Sequence, residues 1–242
     1  MRLTRLYYKS TLNVDSTVEL NSDATHYLVN VLRLKQGDDF VLFNGNDGDV
    51  LGELRSSGKR AATIYLKELI REPVKSDLYI HLALGLSKGD RMDYAIQKST
   101  ELGLSEITPL YSEFSAVKFK EEKRLQNKLV HWRRIAVSAC EQCGAQIPPT
   151  VNNPKTLDDF VEKNSETTKL VLDASGKAKF QDLEISSQIV LLIGPEGGLS
   201  GSELKQAQHK GFIKISLGPR ILRTETAPVA AIAILQNLYG DN

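Results

Sequence analysis

Two glycine-rich segments of the sequence carry the residues best suited to chemistry. The first, LLIGPEGGLSGSEL at residues 191–204, is an apolar run that stops at Gly-Pro, offers the acid Glu196 and continues through further glycines. Glycine permits backbone torsions that are closed to other residues and lets a ligand lie against the main chain. Ser200 and Glu203 have the spacing of a capping box, which predicts that a helix begins directly after the loop.

The spacing of these glycines excludes the two common nucleotide loops. A dinucleotide fold needs G-x-G-x-x-G and a phosphate loop needs G-x-x-x-x-G-K-[ST], and neither pattern is present in this segment. Glu196 also stands where a phosphate would prefer a hydrogen-bond donor. The loop therefore favours a ligand that is neutral or cationic at this point, while a glycine-rich connection without a ligand remains the alternative.

The second segment, ISLGPRILRTETAP at residues 215–228, repeats the pattern of a strand, Gly-Pro and a helix start, for which Thr224 or Thr226 is the expected cap. Two such strand exits could form two walls of one cleft. Charged and apolar side chains that the two segments would contribute are Glu196, Arg220, Arg223 and Glu225, with Leu217, Ile221 and Leu222. The alternative is that the charged residues are solvated loop side chains.

Strands and helices alternate from about residue 77 onward, as far as the chain's last apolar segment. Strands are predicted at 77–86, 105–112, 169–174, 188–193 and 212–217, and helices at 89–103, 120–143, 156–164, 200–211 and from 227 onward. This alternation predicts an α/β fold with a parallel sheet covered on both faces, because parallel neighbours need crossover connections. In such sheets ligands collect where the strands end, which is where both Gly-Pro exits lie.

Residues 1–72 contain mainly short strand-like segments and are predicted to form a small β-barrel. The α/β domain is predicted to follow at 73–242. Short alternating or β-branched segments at 38–45, 48–56 and 61–69 are separated by turn clusters, with one helical pattern at 22–34. Ten basic and ten acidic residues balance over 1–72, so a binding face there must come from arrangement and not from total charge.

Composition limits the class of protein. The chain has 242 residues, of which 41% are hydrophobic and 25% charged, and this excludes disordered and fibrous classes. It contains neither an apolar run near the roughly 20 residues that cross a bilayer nor the apolar core of a signal peptide, so we expect a cytoplasmic protein. Cys140 and Cys143 lie in a helical pattern, which favours packing over redox chemistry, and no metal site is expected.

The two glycine-rich loops, taken with KGDRMDYAIQKSTELGLSEITPL and EQCGAQIPP, resemble the family of bacterial 16S rRNA (uracil-1498-N3) methyltransferases. That family belongs to the knotted α/β methyltransferases (SPOUT type) that use S-adenosylmethionine. The resemblance covers nearly the whole chain, because MRLTRLYY and HYLVNVLRLKQGD are similar to the family's N-terminal RNA-binding barrel, which is PUA- or OB-like. GPEGG followed at this spacing by LGPRILRTETA is the most specific part of the match.

The resemblance implies features that no pattern of hydrophobicity could predict. It implies a C-terminal trefoil knot, which is nearly absent among folds, and a homodimer with its active sites at the subunit interface. It also implies that S-adenosylmethionine is held by the main chain of three loops, at Leu172, Gly194, Pro195, Glu196, Gly197, Gly198, Leu217, Gly218, Ile221, Leu222 and Thr224. One departure is Ala145, where the family pattern leads us to expect arginine.

The implied reaction, methylation of uridine N3, sets requirements on the site. N3 carries a proton and is a poor nucleophile until it is lost, and alignment with the methyl donor could lower the barrier by about 7–11 kcal/mol. Arg220 and Arg223 are the candidates for stabilising negative charge on the uracil oxygens. Glu196 or Glu225 could take the proton or orient an arginine.

The implied partner is 16S rRNA or the small ribosomal subunit, which needs local positive charge in a chain with a net charge of only +1. Lys118–Arg134 contains seven basic and two acidic residues, although a charged helix face is often simply solvated. The candidate RNA-binding residues are Arg2, Arg5, Lys9, Arg33, Lys88, Arg91, Lys123 and Arg124. Two rival interpretations are a ribosome-assembly factor without catalysis and a related knotted RNA methyltransferase with a different target nucleotide.

Overall fold

The computed structural model describes residues 3–58, 60–119, 121–162 and 168–241. The chain forms two compact units, one of Met1–Lys75 with Cys140–Ile147, and one of Ser76–Ala139 with Pro148–Asn242. The sequence analysis predicts that residues 140–147 belong to the second domain, together with the helix at 120–143. Arg71 Nη2, which donates to the Gly144 carbonyl, and Gln146, which donates to Asp49, connect that segment to the first unit.

The first unit is built on one five-stranded sheet. Its strands are Arg5–Tyr7 (β1), Thr17–Leu20 (β2), Asp39–Phe43 (β3), Asp49–Ser57 (β4) and Ala62–Arg71 (β5). Their order is β1-β3-β4-β5-β2, with β1 parallel to β3 and the other pairs antiparallel. A helix at Ser22–His26 (α1) continues as a π-helical turn at Tyr27–Val31 and covers a core that includes Phe40, Leu42 and Ile64.

Arg5 is part of the interior of this first unit. Its side chain is 7% exposed, and its guanidinium donates to Asp49, to the Ala145 carbonyl at 3.0 Å, and lies 4.4 Å from the centre of the Phe43 ring. Burial puts this guanidinium out of reach of a phosphate, although its Nε has no hydrogen-bond partner among the described residues. Arg5 therefore does not belong among the RNA-binding candidates, and its position holds the segment that contains Ala145.

The second unit is an α/β layer structure around a parallel sheet, as predicted. Its strands are Tyr79–Gly85 (β6), Glu106–Tyr111 (β7), Thr150–Val151 (β8), Lys155–Thr156 (β9), Thr168–Leu172 (β10), Gln188–Ile193 (β11) and Ile213–Ile215 (β12). They lie in the order β12-β10-β11-β6-β7-β8, with β9 beside β7, and every pairing is parallel. The helices are Arg91–Glu101 (α2), Glu122–Cys143 (α3), Leu157–Glu162 (α4), Gly201–His209 (α5) and Thr226–Tyr239 (α6).

Both faces of this sheet are covered. Leu82 and Leu191 pack with Ile96 of α2 and Ile232 of α6, whereas alternate residues of the same strands pack against Phe160 and Ala207 on the other face. The predicted helix at 156–164 extends into 163 and 164, which lie outside the described residues. Within 3–58, 60–119, 121–162 and 168–241, no helix is long and apolar enough to span a bilayer.

Helix ends follow local sequence signals in one case and depart from them in another. Ser200 caps α5 and forms the complete capping box with Glu203, as the sequence predicts. At α6 the expected threonine cap is wrong, because Glu225 occupies the N-cap position and makes no side-chain capping bond. The carboxylate of Glu225 is consequently available to the adjacent cleft.

The two cysteines are free thiols near the end of α3. Cys140 is buried, and its burial raises the pKa of the thiol to about 12, so the reactive thiolate is suppressed. Its Sγ donates to the Ile147 carbonyl at 3.8 Å. These properties fit packing and do not fit a redox pair.

Candidate active site

Three adjacent strands position the site. Because β12, β10 and β11 lie side by side and run parallel, their carboxyl ends meet at one edge of the sheet. The loops that leave this edge surround a cavity of about 660 Å³, within the range of small-molecule sites. The sequence resemblance implies three loops at one site, and the sheet order explains how loops far apart in the chain reach it.

Every residue predicted for the cofactor and for catalysis lines this cavity. The predicted cofactor residues are Leu172, Gly194, Pro195, Glu196, Gly197, Gly198, Leu217, Gly218, Ile221, Leu222 and Thr224, and the others are Arg220, Arg223 and Glu225. Sequence reasoning missed Asp173 and Ala174, which follow β10 directly and also line the cavity. The carboxyl end of a predicted parallel strand was the signal that could have found them.

The glycines form a wall that has no room for side chains. A Cβ atom on Gly194 would lie 2.7 Å from the carbonyl carbon of Gly198 and 2.9 Å from the nitrogen of Leu199. Gly218, on the opposite loop, has φ of 104°, a left-handed conformation that side chains rarely adopt. Gly194 and Gly218 thus leave main chain without side chains on two of the loops that line the cavity.

We expect Gly194→Ala to weaken at least tenfold the binding of S-adenosylmethionine, the cofactor that the sequence resemblance implies, because the added methyl collides with rigid backbone and displaces the loop. Gly201→Ala is the matched control, since its Cβ would meet nothing within 4 Å at the start of α5. Isothermal titration calorimetry of both variants measures the effect. Equal affinities in the two variants would show that the backbone wall does not hold the ligand.

Glu196 is held by donors at the start of α2 and just before it. Its Oε1 accepts a hydrogen bond from the Lys88 backbone nitrogen at 3.1 Å and another from Arg91 Nη1. Burial raises the pKa of this carboxyl, but its own backbone amide, Lys88 and Arg91 together outweigh that effect and lower it. Glu196 is therefore a fixed negative charge at the cavity wall.

Glu225 is differently placed at the same cavity. Its side chain is 17% exposed, its Oε2 lies 3.7 Å from Arg91 Nε, and its Oε1 lies 4.0 Å from Arg223 Nη1. Among the described residues no hydrogen-bond donor reaches the buried Oε2 atom. Arg223 itself is 82% exposed, so its guanidinium is free to turn toward a substrate.

The remaining predicted residues fall in different environments. Arg91, predicted to bind RNA, lies in the cleft, where it contacts Glu196 and lies 3.7 Å from Glu225. Candidates that are exposed are Lys9, Arg33, Lys88, Lys123 and Arg124. Arg2 lies outside the described residues.

Comparison with known proteins decides the family. The profile of an RNA methyltransferase domain matches residues 74–236, and that of an RNA methyltransferase PUA domain matches 20–66. Ribosomal RNA small subunit methyltransferase E of Buchnera aphidicola is 38% identical over 99% of this chain and 98% of its own length. The Rickettsia conorii protein of the same name is 36% identical over 96% of this chain and 95% of its own.

The chain belongs to the ribosomal RNA small subunit methyltransferase E family.

Solved structures of similar proteins extend this result to the fold. The methyltransferase E structure from Neisseria gonorrhoeae, bound to S-adenosylmethionine, is 37% identical, has a TM-score of 0.91 and aligns over 99% of both chains. A Legionella pneumophila methyltransferase with the same bound cofactor is 36% identical, with a TM-score of 0.96 over the full length of both chains.

The cavity of this methyltransferase E family member fits that cofactor on its own geometry. S-adenosylmethionine carries a sulfonium cation, a ribose and a base, which need nearby negative charge and hydrogen-bonding main chain. Glu196 and Glu225 supply carboxylates at the wall, and the loops at 194–198 and 217–224 supply backbone groups. Leu172 and Leu217 add apolar surface.

Proposed function

We propose that this chain transfers a methyl group from S-adenosylmethionine to small-subunit ribosomal RNA, at N3 of uridine 1498. The observation that carries the proposal is the backbone-walled cavity at the ends of β10, β11 and β12, in a chain that aligns end to end with cofactor-bound relatives. A ribosomal substrate places the activity in the cytoplasm.

In this proposal the backbone of the cleft binds the cofactor, and its side chains stabilise charge. When bound, S-adenosylmethionine supplies an electrophilic methyl group on its sulfonium. The loops at 172–174, 194–198 and 217–224 hold and orient it, while Glu196 contributes a fixed negative charge. Arg220 and Arg223, which extend from the loop before α6, are the side chains proposed to stabilise charge on the uracil oxygens.

The trefoil knot belongs to this proposal and has support in the sheet. Strand β12 lies beside β10 on one side, while on the other Ala178, from the connection between β10 and β11, pairs with Ile215. The connection between β10 and β11 thus reaches the side of β12 opposite β10, which is consistent with the proposed knot. Gly176 lies against the same strand, since a Cβ there would be 2.5 Å from the Ile215 carbonyl carbon.

A homodimer is the proposed assembly. Ile221, in the loop that lines the cavity, is 91% exposed, which is unusual for a large apolar side chain at a binding site. A second subunit that covers this loop would bury Ile221 and complete the wall of the cavity. The five-stranded sheet of the first unit is proposed to close as a PUA-like barrel that binds RNA.

Exposed basic residues of α3 are proposed to contact RNA phosphates. Replacing Lys123 and Arg124 together by glutamine should flatten the slope of log K against log salt by roughly 0.7–0.9 for each lost contact. Lys9 and Arg33, exposed in the first unit, provide the parallel double variant. Filter binding to small-subunit RNA over a salt series measures both, and an unchanged slope would remove that pair from the RNA surface.

Methyl transfer from labelled S-adenosylmethionine into unmodified small-subunit particles and into naked 16S RNA tests the proposed activity. We expect incorporation to depend on the intact cleft and to be lost with boiled protein. A ribosome-assembly factor would bind the particles without transferring label and would not bind S-adenosylmethionine in the absence of RNA. Absence of label transfer would refute the enzymatic proposal, and binding of S-adenosylmethionine without RNA would count against the assembly factor.

A further inference from the structure

A second cavity adjoins the first and is not explained by cofactor binding. It has a volume of about 710 Å³ and lies where α2 and α6 begin. Its lining consists of Lys88, Gly89, Asp90, Arg91, Tyr94, Arg223, Glu225 and Thr226. Arg91, Arg223 and Glu225 line both cavities, so a molecule in the second one lies next to whatever occupies the first.

Among the described residues, the shared wall contains one buried carboxylate oxygen that lacks a hydrogen-bond donor. Oε2 of Glu225 is buried, and the nearest cation, Arg91 Nε, is 3.7 Å away, beyond hydrogen-bond distance. A buried acceptor without a partner is costly, which indicates that a ligand supplies the donor. The donor must be an N–H or O–H group, since the atom that needs it is a carboxylate oxygen.

In the part of the chain that the structure describes, Glu196, in contrast to Glu225, has no buried carboxylate oxygen without a hydrogen-bond donor. Its Oε1 already accepts from the Lys88 amide and from Arg91, and these contacts lower the pKa of its carboxyl. A carboxylate stabilised in its charged form is a weak proton acceptor. The structure thus separates the two glutamates that sequence reasoning left equivalent.

The other groups of the second cavity match a uracil nucleotide. Tyr94, which is 47% exposed and one turn after Arg91 on α2, offers a ring on which a base can stack. Arg91 and Arg223 lie on either side of Glu225, where guanidinium groups could face the two carbonyl oxygens that flank N3 of uracil. Lys88 adds a positive charge for a phosphate.

We propose that the second cavity binds the target uracil and that Glu225 is the catalytic residue that accepts its N3 proton. The N3–H bond breaks and the proton passes to Glu225 Oε2. The N3 electron pair then bonds to the methyl carbon, whose bond to sulfur breaks with its electrons remaining on sulfur. Glu225 releases the proton to water afterwards. This inference rests on the proposed N3 methylation.

Glu225→Gln and Glu225→Ala test the proton transfer in the full-length protein. We expect turnover on small-subunit particles to fall about 10²–10⁴-fold, the usual contribution of a general base. Turnover of Glu225→Gln should then rise in proportion to hydroxide concentration, and formate should partly restore Glu225→Ala. S-adenosylhomocysteine affinity, measured by calorimetry, should stay within a few-fold of wild type.

Glu196→Gln is the matched comparison, because it removes the other carboxylate of the cleft. We expect it to weaken S-adenosylhomocysteine binding and to show neither formate rescue nor dependence on hydroxide. If Glu225→Gln keeps wild-type turnover, or if formate rescues a Glu196→Ala variant instead, the assignment of Glu225 is overturned. If wild-type protein methylates no uridine N3, the proposed function fails first, which keeps the two failures distinct.

The base-binding role of the cavity has its own test. Titration of uridine 5′-monophosphate in the presence of S-adenosylhomocysteine, followed by NMR, should perturb the amides of Arg91, Tyr94 and Glu225. Tyr94→Ala should weaken this binding about tenfold while Tyr94→Phe keeps it within twofold, because stacking needs only the ring. Perturbations confined to other residues, or equal binding by both variants, would overturn the cavity assignment.

Discussion

Arg223→Ala is expected to lower turnover about 10²–10³-fold while S-adenosylmethionine affinity stays within a few-fold of wild type. The expected loss is that of one preorganised donor to a developing oxyanion. Its guanidinium is 82% exposed at the rim shared by the two cavities, and its only ionic contact among the described residues is with Glu225 at 4.0 Å. Because this side chain makes few contacts, its removal should leave the loop intact. The substitution should therefore lower turnover and not cofactor affinity.

Single-turnover methyl transfer and calorimetry on the same preparations separate these two quantities. Arg223→Lys should recover only part of the activity, since an ammonium lacks the planar fork that can face a uracil oxygen. Lys205→Ala, exposed on α5 and absent from the lining of both cavities, is the control for loss of one positive charge. A parallel loss of turnover and cofactor affinity in Arg223→Ala would reassign this residue to cofactor binding.

Asp49→Asn is expected to lower the free energy of unfolding of the first unit by about 3–5 kcal/mol. The substitution leaves the Arg5 guanidinium buried without its carboxylate, and a buried charge that loses its partner is strongly destabilising. Arg71, whose Nε lies 2.9 Å from the same carboxylate, is half exposed and can turn to solvent, whereas Arg5 cannot.

Asp39→Asn provides the control in the same sheet. Asp39 pairs with Lys67 at 2.7 Å, but the two side chains are 35% and 31% exposed, so this pair should contribute no more than about 1 kcal/mol. Urea unfolding followed by far-ultraviolet circular dichroism compares the variants. Equal destabilisation by the two substitutions would contradict the structural role of the buried pair.

Much of the site could be predicted because local sequence signals act over a few residues. The capping box of Ser200 and Glu203 starts α5, while Gly103 and Gly144 follow α2 and α3 with φ of 82° and 94°. Both Gly-Pro exits lie at strand ends, as their apolar runs indicated. Such signals need no knowledge of distant partners.

The rest depends on contacts between distant parts of the chain. Arg5 is basic and near the chain start, features typical of exposure, yet its partner Asp49 is 44 residues away. Arg91 reaches Glu196 across 105 residues, so its place in the cleft had no local signal. The order β12-β10-β11 likewise follows from long-range pairing, and it alone makes the three loops neighbours.

Mapping the modified nucleotide tests the central claim most directly. Small-subunit particles that lack the modification are treated with the protein and labelled S-adenosylmethionine, and the RNA is digested and analysed by mass spectrometry. The proposed function predicts one labelled product, N3-methyluridine, at position 1498. Label on a ribose hydroxyl, on another base or at another uridine would contradict it.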